Sequence, residues 1–416
     1  MEKIAIIGVG VVGLELAVRL SQFYQISAYN INQKRVEELK NDYDKNHLIS
    51  EEELKRASIH YVGHLQELQD SSIFIIVVPT DIHQDKTLDL EPIKQATQSM
   101  GEILKPQDIV IFESSVYPKF TEELLIPILE EKSGLKVNQD FFVAYCPERF
   151  SPQDADYELH KVCKVISASH PSAVLKVQSI YQKICASTYI APNMAVAECS
   201  KMLENIQRNV NIALMNEFSI IMHALNISLH EVIQAASTKK NFLPFQPGLV
   251  GGYCIPVNPF YFMYQARKKG IEPSLIQAAE TVNESMPSFL FSELLKLYFK
   301  HQKHQANPNI AVFGLSFKPN IPDIRHSLSL DFIELMEKNN LSYRVHDPFM
   351  QKEMNCQPLE DFNDIDIAVF LVKHQVYVDL GLECFLTHCR KNPIIMDVGG
   401  LFKDIKKLSD LTYWQL

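Results

Sequence analysis

Cys254 lies in the run Gly248-Leu249-Val250-Gly251-Gly252-Tyr253-Cys254-Ile255-Pro256-Val257-Asn258-Pro259, where paired glycines let backbone pass close to something bulky. A cysteine attacks as thiolate and only when it can be reached, so a Gly-Gly-x-Cys turn suits a nucleophile on a loop. Alone, the same residue also suits a buried core thiol, a common fate of free cysteine. Lys201, Asn205 and Arg208 recur at intervals of four and seven, which sets three polar side chains on one helical face. A solvated helix face gives the same pattern. Two further polar runs, Tyr145-Cys146-Pro147-Glu148-Arg149-Phe150 and Gly314-Leu315-Ser316-Phe317-Lys318-Pro319 with Asp323-Ile324-Arg325-His326-Ser327, each follow a strand-like segment. Open α/β sheets hold ligands at such strand ends.

Gly8-Val9-Gly10-Val11-Val12-Gly13 follows the strand-like Lys3–Ile7 and opens the helical pattern Leu14–Gln22, the context in which a glycine triplet signals dinucleotide binding. Gly8 makes the turn, Gly10 lets backbone approach a pyrophosphate, and Gly13 allows close helix–strand packing. Val11 and Val12 lie at the helix N-terminus that faces the phosphates. About twenty residues on, the acid expected for the adenosine ribose is replaced by Asn30, with Lys34 and Arg35 nearby. An amide still bonds a hydroxyl but does not repel a 2′-phosphate, so NAD is expected with weakened discrimination against NADP.

The elements that carry these residues follow from periodicity. Lys3–Ile7, Gln25–Asn30, Ser72–Val78, Asp108–Glu113 and Phe141–Tyr145 alternate with helical patterns, as βαβ units of a parallel sheet do. Met194–Leu225 then runs without Gly or Pro at helical spacing, as one long helix or two abutting ones. Ser274–Tyr298 is helical apart from Pro287, and the polar His301–Asn309 suits a linker. The βα rhythm restarts at Ile310–Phe313, Tyr343–His346, Ile367–Val372 and Ile394–Val398. The fold expected is α/β, with two Rossmann-like doubly wound parallel sheets joined by a helical connector. Domains are expected over 1–190, 191–300 and 301–416, with a homodimer interface on the long helix.

With 416 residues, 46% hydrophobic and 22% charged, the chain is too long for one core. A net charge of −10 argues against a nucleic-acid or anionic-membrane binder, and no apolar run reaches membrane-spanning length. The chain opens directly on a strand, which leaves no room for a signal peptide, so a cytoplasmic protein is expected. Its eight cysteines show no paired spacing, and Cys384 and Cys389 beside His388 lack a zinc rhythm, so neither disulfides nor a metal are expected.

Taken together, these runs resemble the UDP-glucose/GDP-mannose dehydrogenase family over essentially the whole chain and in the family's order. The likeness is strongest to bacterial UDP-N-acetylhexosamine 6-dehydrogenases, through Thr238-Lys239-Lys240-Asn241-Phe242-Leu243-Pro244-Phe245-Gln246-Pro247-Gly248 and its continuation through Cys254 to Phe260. Further matches are Glu113-Ser114-Ser115-Val116-Tyr117-Pro118, Val78-Pro79-Thr80 and Arg35-Val36-Glu37-Glu38-Leu39. The resemblance implies oxidation of a UDP-sugar C6 alcohol to a carboxylate with two NAD in succession, for surface-polysaccharide precursors. It implies a Cys254 thiohemiacetal and thioester, because an aldehyde must gain a nucleophile before a second hydride can leave. It further implies that Lys201 stabilises an oxyanion beside Asn205 and that Glu148 orients substrate or water. By the same resemblance Ser115 lies near the nicotinamide, Arg35, Pro79, Thr80 and Arg325 serve the cofactor, and Arg149, Phe150, Lys239, Gly251, Phe317 and Lys318 serve the substrate.

The departures cluster around the thiol: Tyr253 replaces the family's histidine, Asn258 an aspartate and Gln246 an arginine. Asn258 occupies a catalytic position with a side chain that cannot take a proton at neutral pH, and loss of a general base commonly costs about 10²- to 10⁴-fold. Two alternatives therefore stand beside the amino-sugar dehydrogenase: a UDP-glucose 6-dehydrogenase and a catalytically impaired nucleotide-sugar or NAD-binding relative.

Overall fold

The computed structural model describes residues 2–46, 48–150, 158–301, 308–350, 354–402 and 410–416. The chain divides into two compact units. One comprises Met1–Glu204 with Phe260–Ile271, the other Asn205–Pro259 with Glu272–Leu416.

The first unit is built on an eight-stranded sheet in the order Ser187–Ile190, Cys163–Ala168, Phe142–Tyr145, Ile109–Phe112, Ile73–Ile76, Lys3–Ile7, Gln25–Tyr29, Ile59–Val62. Its pairs are parallel except Phe142–Tyr145 against Cys163–Ala168, which is antiparallel. Central strands such as Ile73–Ile76 and Ile109–Phe112 are buried at every residue, which is why they read as unbroken apolar runs. Strand order reverses at Lys3–Ile7, between Gln25–Tyr29 and Ile73–Ile76, and the glycine turn follows that strand. Such a switch point opens the crevice in which doubly wound sheets bind nucleotides.

The second unit repeats the device with five parallel strands in the order Tyr343–His346, Ile310–Phe313, Ile365–Phe370, Cys389–Asp397, Thr412–Gln415. Period-two alternation serves two cores: Ile310 and Val312 pack into one cluster with Met286 and Leu290, and Ala311 and Phe313 into another with Tyr377 and Phe385.

Met194–Leu225 is a single helix, and Ser274–His301 continues through Pro287 rather than ending there. The helix after the glycine turn spans Val11–Leu20, three residues earlier than its apolar pattern begins. Of the linker expected over His301–Asn309, residues 302–307 lie outside the described residues. Among the described residues, no helix is long and apolar enough to cross a membrane.

Candidate active site

In the first unit the residues expected to serve the cofactor gather at the C-terminal edge of the sheet. Gly8 has φ +101°, and a Cβ there lies 2.7 Å from the Val77 carbonyl oxygen; a Cβ on Gly13 lies 1.9 Å from the Gly8 carbonyl oxygen. No other residue fits either place. A Cβ on Gly10 meets nothing within 4 Å, and the helix Val11–Leu20 has no side-chain cap at its N-terminus. Open space before uncapped amides at a sheet switch point fits a dinucleotide pyrophosphate. Ser114 donates to the Val78 carbonyl (2.6 Å) and Tyr145 to the Ser114 carbonyl (3.1 Å), which ties the Ser115 segment to Val78-Pro79-Thr80. Tyr261 secures the hairpin after Thr80 by donating to the Asp81 and Asp89 carbonyls at 3.1 and 3.3 Å.

Two cofactor-side residues behave differently. The Asn30 amide oxygen accepts from Asn32 N–H at 2.9 Å, leaving its NH2 group as the donor it offers. Arg35 is 4% exposed and turned inward: its Nε donates to the Val9 carbonyl (3.2 Å), and its Nη2 to Asp44 (2.7 Å). It thus braces the glycine turn, and its charge is spent on a buried carboxylate rather than on a 2′-phosphate. Asp44 is held below the usual carboxylate range: burial opposes this, and the Arg35 hydrogen bond with the Leu48 and Asn46 N–H groups outweighs it.

Glu148 follows the strand Phe142–Tyr145. One carboxylate oxygen accepts from the Phe150 N–H; the other is buried without a hydrogen bond, 3.8 Å from the ammonium of Lys164. Arg149 forms a two-pronged pair with Glu204 on the long helix and donates to the Cys163 carbonyl at 2.9 Å. Phe150 packs against the first unit's core. Lys201 lies one helical turn before Asn205; it is buried and makes no hydrogen bond or ion pair within its own unit among the described residues. A buried ammonium so placed suits a developing oxyanion.

In the second unit Cys254 is exposed, while the loop that carries it is fixed by amides of the long helix. Asn216 donates to the Gly248 carbonyl (3.1 Å) and accepts from the Gly248 N–H (2.8 Å), and Asn209 reaches the Ile255 carbonyl (3.4 Å). Asn205 donates to the Asn258 side-chain oxygen at 2.6 Å. Intervals of four and seven along the helix put these three asparagines on one face. On its other side the loop rests on Phe317. A Cβ on Gly251 lies 2.7 Å from Phe317 Cβ, and one on Gly252, at φ +85°, lies 2.5 Å from the Phe317 ring. Gly252 N–H donates to the Arg325 carbonyl (3.2 Å), and the Arg325 guanidinium lies 3.7 Å from the centre of the Tyr253 ring. Asp323 holds the same guanidinium by contacts of 2.8 and 3.0 Å at Nε. Tyr253, the departure beside the thiol, is thus the cation–π platform of Arg325.

The switch point of the second sheet opens into a cavity of about 220 Å³, lined in part by Leu249, Gly251, Ser316, Phe317, Val372 and Lys373. Asp347, fully buried at the end of Tyr343–His346, shapes this wall by accepting from Leu315 N–H (2.8 Å), Ser316 N–H (3.2 Å) and His374 Nε2 (3.3 Å). Burial opposes its ionisation, yet the His374 contact and the backbone amides hold it below the usual range.

Each unit therefore collects its own share of the expected residues: the glycine turn, Pro79, Thr80, Ser115 and Glu148 in the first; Asn205, Gly251, Cys254, Asn258, Phe317, Lys318 and Arg325 in the second. Lys239, exposed after the helix Leu229–Ala236, touches none of these in the contacts described. Sequence reasoning missed Lys164, Glu204, Asp347, His374, Asn209 and Asn216. Two carried a usable signal: Lys164 is a lone charge inside an apolar strand, and Asp347 follows the second strand of a βαβ unit, the position Asn30 holds in the first unit.

Two nucleotide crevices, each at the switch point of its own sheet, with an exposed thiol on a pinned loop, define an NAD-linked dehydrogenase with a second nucleotide site. The chain matches the UDP-glucose/GDP-mannose dehydrogenase family in three stretches: its NAD binding domain over residues 2–185, its central domain over 195–285 and its UDP binding domain over 311–404. It is 41% identical to a UDP-N-acetyl-D-glucosamine 6-dehydrogenase of Pseudomonas aeruginosa, over 98% of this chain and 99% of that protein. A UDP-N-acetyl-D-glucosamine 6-dehydrogenase of Salmonella typhi is 37% identical, over 99% and 96%. Among solved structures, the UDP-D-ManNAc dehydrogenase of Pyrococcus horikoshii superposes with a TM-score of 0.90 at 27% identity, over 99% of this chain and 98% of that one. The chain belongs to the UDP-glucose/GDP-mannose dehydrogenase family. It is an NAD-dependent enzyme of UDP-sugars.

Proposed function

We propose that the protein oxidises the C6 hydroxyl of a UDP-N-acetylhexosamine, UDP-GlcNAc or UDP-GalNAc, to the carboxylate, supplying precursors of a surface polysaccharide. The observation that carries this reading is the thiol loop: Cys254 is exposed, yet three buried asparagines tie the backbone around it at Gly248 and Ile255 and the side chain of Asn258. Such a thiol is reachable and does not wander.

NAD, when bound, supplies the hydride acceptor for each of two oxidations. Lys201 stabilises the C6 oxyanion, with Asn205 as a neutral donor beside it. The Cys254 thiolate adds to the aldehyde carbon, forming the C–S bond of a thiohemiacetal; its oxidation leaves a thioester. Water held by Glu148 then adds to the thioester carbon, the C–S bond breaks, and the thiol and the carboxylate are released. Asn258 retains the contact with Asn205 but takes up no proton, which leaves Glu148 as the base. Phe317 and Lys318 bind the UDP moiety, while Arg149 and Lys239 serve the sugar or diphosphate. Arg325, Ser115 and the glycine turn serve the cofactor.

Turnover of purified protein with NAD and a panel of UDP- and GDP-sugars tests this reading, with NADH formation expected first for UDP-N-acetylhexosamines. Asn258 itself favours a second reading, a relative that binds nucleotide sugars without oxidising them. Calorimetric binding of a UDP-sugar with no NADH from any member of the panel marks that case.

The active form we propose is a homodimer. Leu214, Phe218, Ile221 and Leu225 are exposed at intervals of four, three and four along the long helix, an apolar strip that a second copy can cover. A light-scattering mass of one chain at micromolar concentration contradicts it. None of the eight cysteines forms a disulfide, which suits the reducing cytoplasm as the site of the reaction.

A further inference from the structure

Lys164 is the second residue of a strand in the interior of the first sheet, and its side chain is fully buried, as is that of Glu113 at the end of Ile109–Phe112. A lysine in that place is costly, because an ion taken out of water loses its hydration unless partners compensate. Its partners are two carboxylates that compete for one ammonium. Glu113 Oε2 accepts from Nζ at 2.5 Å, and the unbonded Glu148 Oε2 lies 3.8 Å from the same atom. The Glu113 Oε1 is taken by the Tyr181 hydroxyl, and the ammonium lies 4.9 Å from the centre of the Tyr181 ring. Glu148 Oε1 is already occupied by the Phe150 N–H. Its Oε2 is therefore an acceptor held in place by charge and not used up by a hydrogen bond.

We infer that Lys164 is a positioning residue for Glu148, and that the protonation of Glu113 decides how firmly the ammonium holds it. With Glu113 neutral, the ammonium is committed to Glu148 and locks the carboxylate. With Glu113 ionised, the ammonium leans to the nearer carboxylate, and Glu148 Oε2 is released to take a proton from water. The inference rests on the reading of Glu148 as the base of thioester hydrolysis.

The groups facing Glu113 are Lys164 and Glu148, the Tyr181 hydroxyl, the Cys146 thiol and the Tyr145 hydroxyl, with Cys185 close to Lys164. Burial pushes the Glu113 carboxyl up to about 7; Lys164 pulls it down and Glu148 pushes it up. Burial alone lowers Lys164, but Glu113 and Glu148 hold its ammonium above the ordinary range. The switch therefore lies in the neutral range, and Lys164 keeps its charge on both sides of it.

The test is the pH dependence of kcat, with the full chain, NAD and the best UDP-sugar of the panel. Wild-type kcat is expected to rise through about pH 7, where Glu113 ionises. Glu113→Gln, close in shape and fixed as neutral, is expected to abolish that limb and lower kcat at pH 8 by roughly tenfold, with the sugar KM changed less than about threefold. Lys164→Arg is expected to keep the limb, whereas Lys164→Met moves or abolishes it. Circular dichroism shows whether Lys164→Met folds, and Glu113→Gln carries the test if it does not. A purely structural role predicts lower stability with an unmoved limb, and a limb unchanged in Glu113→Gln overturns the inference. Glu148→Gln separates the two claims, because it is expected to lose about a hundredfold or more in kcat. Full turnover in Glu148→Gln overturns the reading of Glu148 itself. A dead Glu148→Gln beside an unmoved Glu113→Gln limb overturns the role of Lys164 and Glu113 alone.

Discussion

The carboxylate of Glu148 and the loop that carries Cys254 are each held by buried polar side chains, but the holders differ in kind. Lys164 and Glu113 are ionisable; Asn205, Asn209 and Asn216 are not. Charges respond to pH and act over several ångströms, so they can tune a neighbouring group. Amides respond to neither pH nor salt in this range, and they fix backbone through directional bonds. The family's aspartate would have put a titrating group into the second set. Asn258 removes it, and under the proposed mechanism acid–base work falls to Glu148 in the first unit.

The largest expected effect comes from disturbing the amide region by shape alone. In Gly252→Ala the new Cβ meets the Phe317 ring at 2.5 Å on a backbone at φ +85°. The loop must shift, and a thiol displaced by about 1 Å is expected to cost on the order of a hundredfold in kcat. Thiol titration should still find Cys254 reactive; wild-type kcat in this variant would mean that loop position does not matter. Next in size is Asn216→Ala, which strips both polar groups of Gly248 of their partner and leaves Asn283 without its donor. A loss of roughly 3 kcal/mol in urea unfolding is expected, against the ~1–3 kcal/mol of each buried group left unpaired.

A smaller effect separates the regions by pH, read by hydrogen exchange corrected for its intrinsic rate. Glu113 is raised to about 7, so its favourable contribution is full below the unfolded value of about 4.3 and is lost as pH rises through about 7. Protection in Cys163–Ala168 should therefore fall as pH rises from about 4.3 to about 7 and level off above that. Asp347 is lowered, so its contribution is present above the unfolded value of about 3.9 and lost only as pH falls below it. Protection at Leu315 and Ser316 should hold steady across the neutral range. The smallest effect is expected for Asn258→Asp, less than about threefold in kcat at pH 8, because Asn205 keeps its acceptor and Glu148 remains the base. A tenfold gain would place the missing base at position 258.

Much of this arrangement was legible in the sequence where chemistry is local. The glycine triplet and the thiol loop each fit within a dozen residues and the second unit's strand-end run within fourteen, so each pattern could be read without a distant partner. Lys164 stood out as a lone charge in an apolar strand, but its role was not legible, because its partner Glu113 lies 51 residues away. Strands were missed where pattern and partner conflict: Ser187–Ile190 is largely exposed, and Cys163–Ala168 carries a lysine amid apolar neighbours. The strand expected at Ile367–Val372 runs Ile365–Phe370, since Asp366, which reads as a boundary, is buried and paired with Arg390 at 3.2 Å. Arg35 was legible as a residue near the dinucleotide turn, but its inward pairing with Asp44 was not.

The covalent role of Cys254 is tested most directly by the number of NADH formed per sugar. Purified protein with excess NAD and limiting UDP-N-acetylhexosamine should yield two NADH for each sugar consumed, and Cys254→Ser should stall with far less while still binding the sugar. One NADH per sugar from the wild-type chain, or two from Cys254→Ser at an undiminished rate, would contradict it.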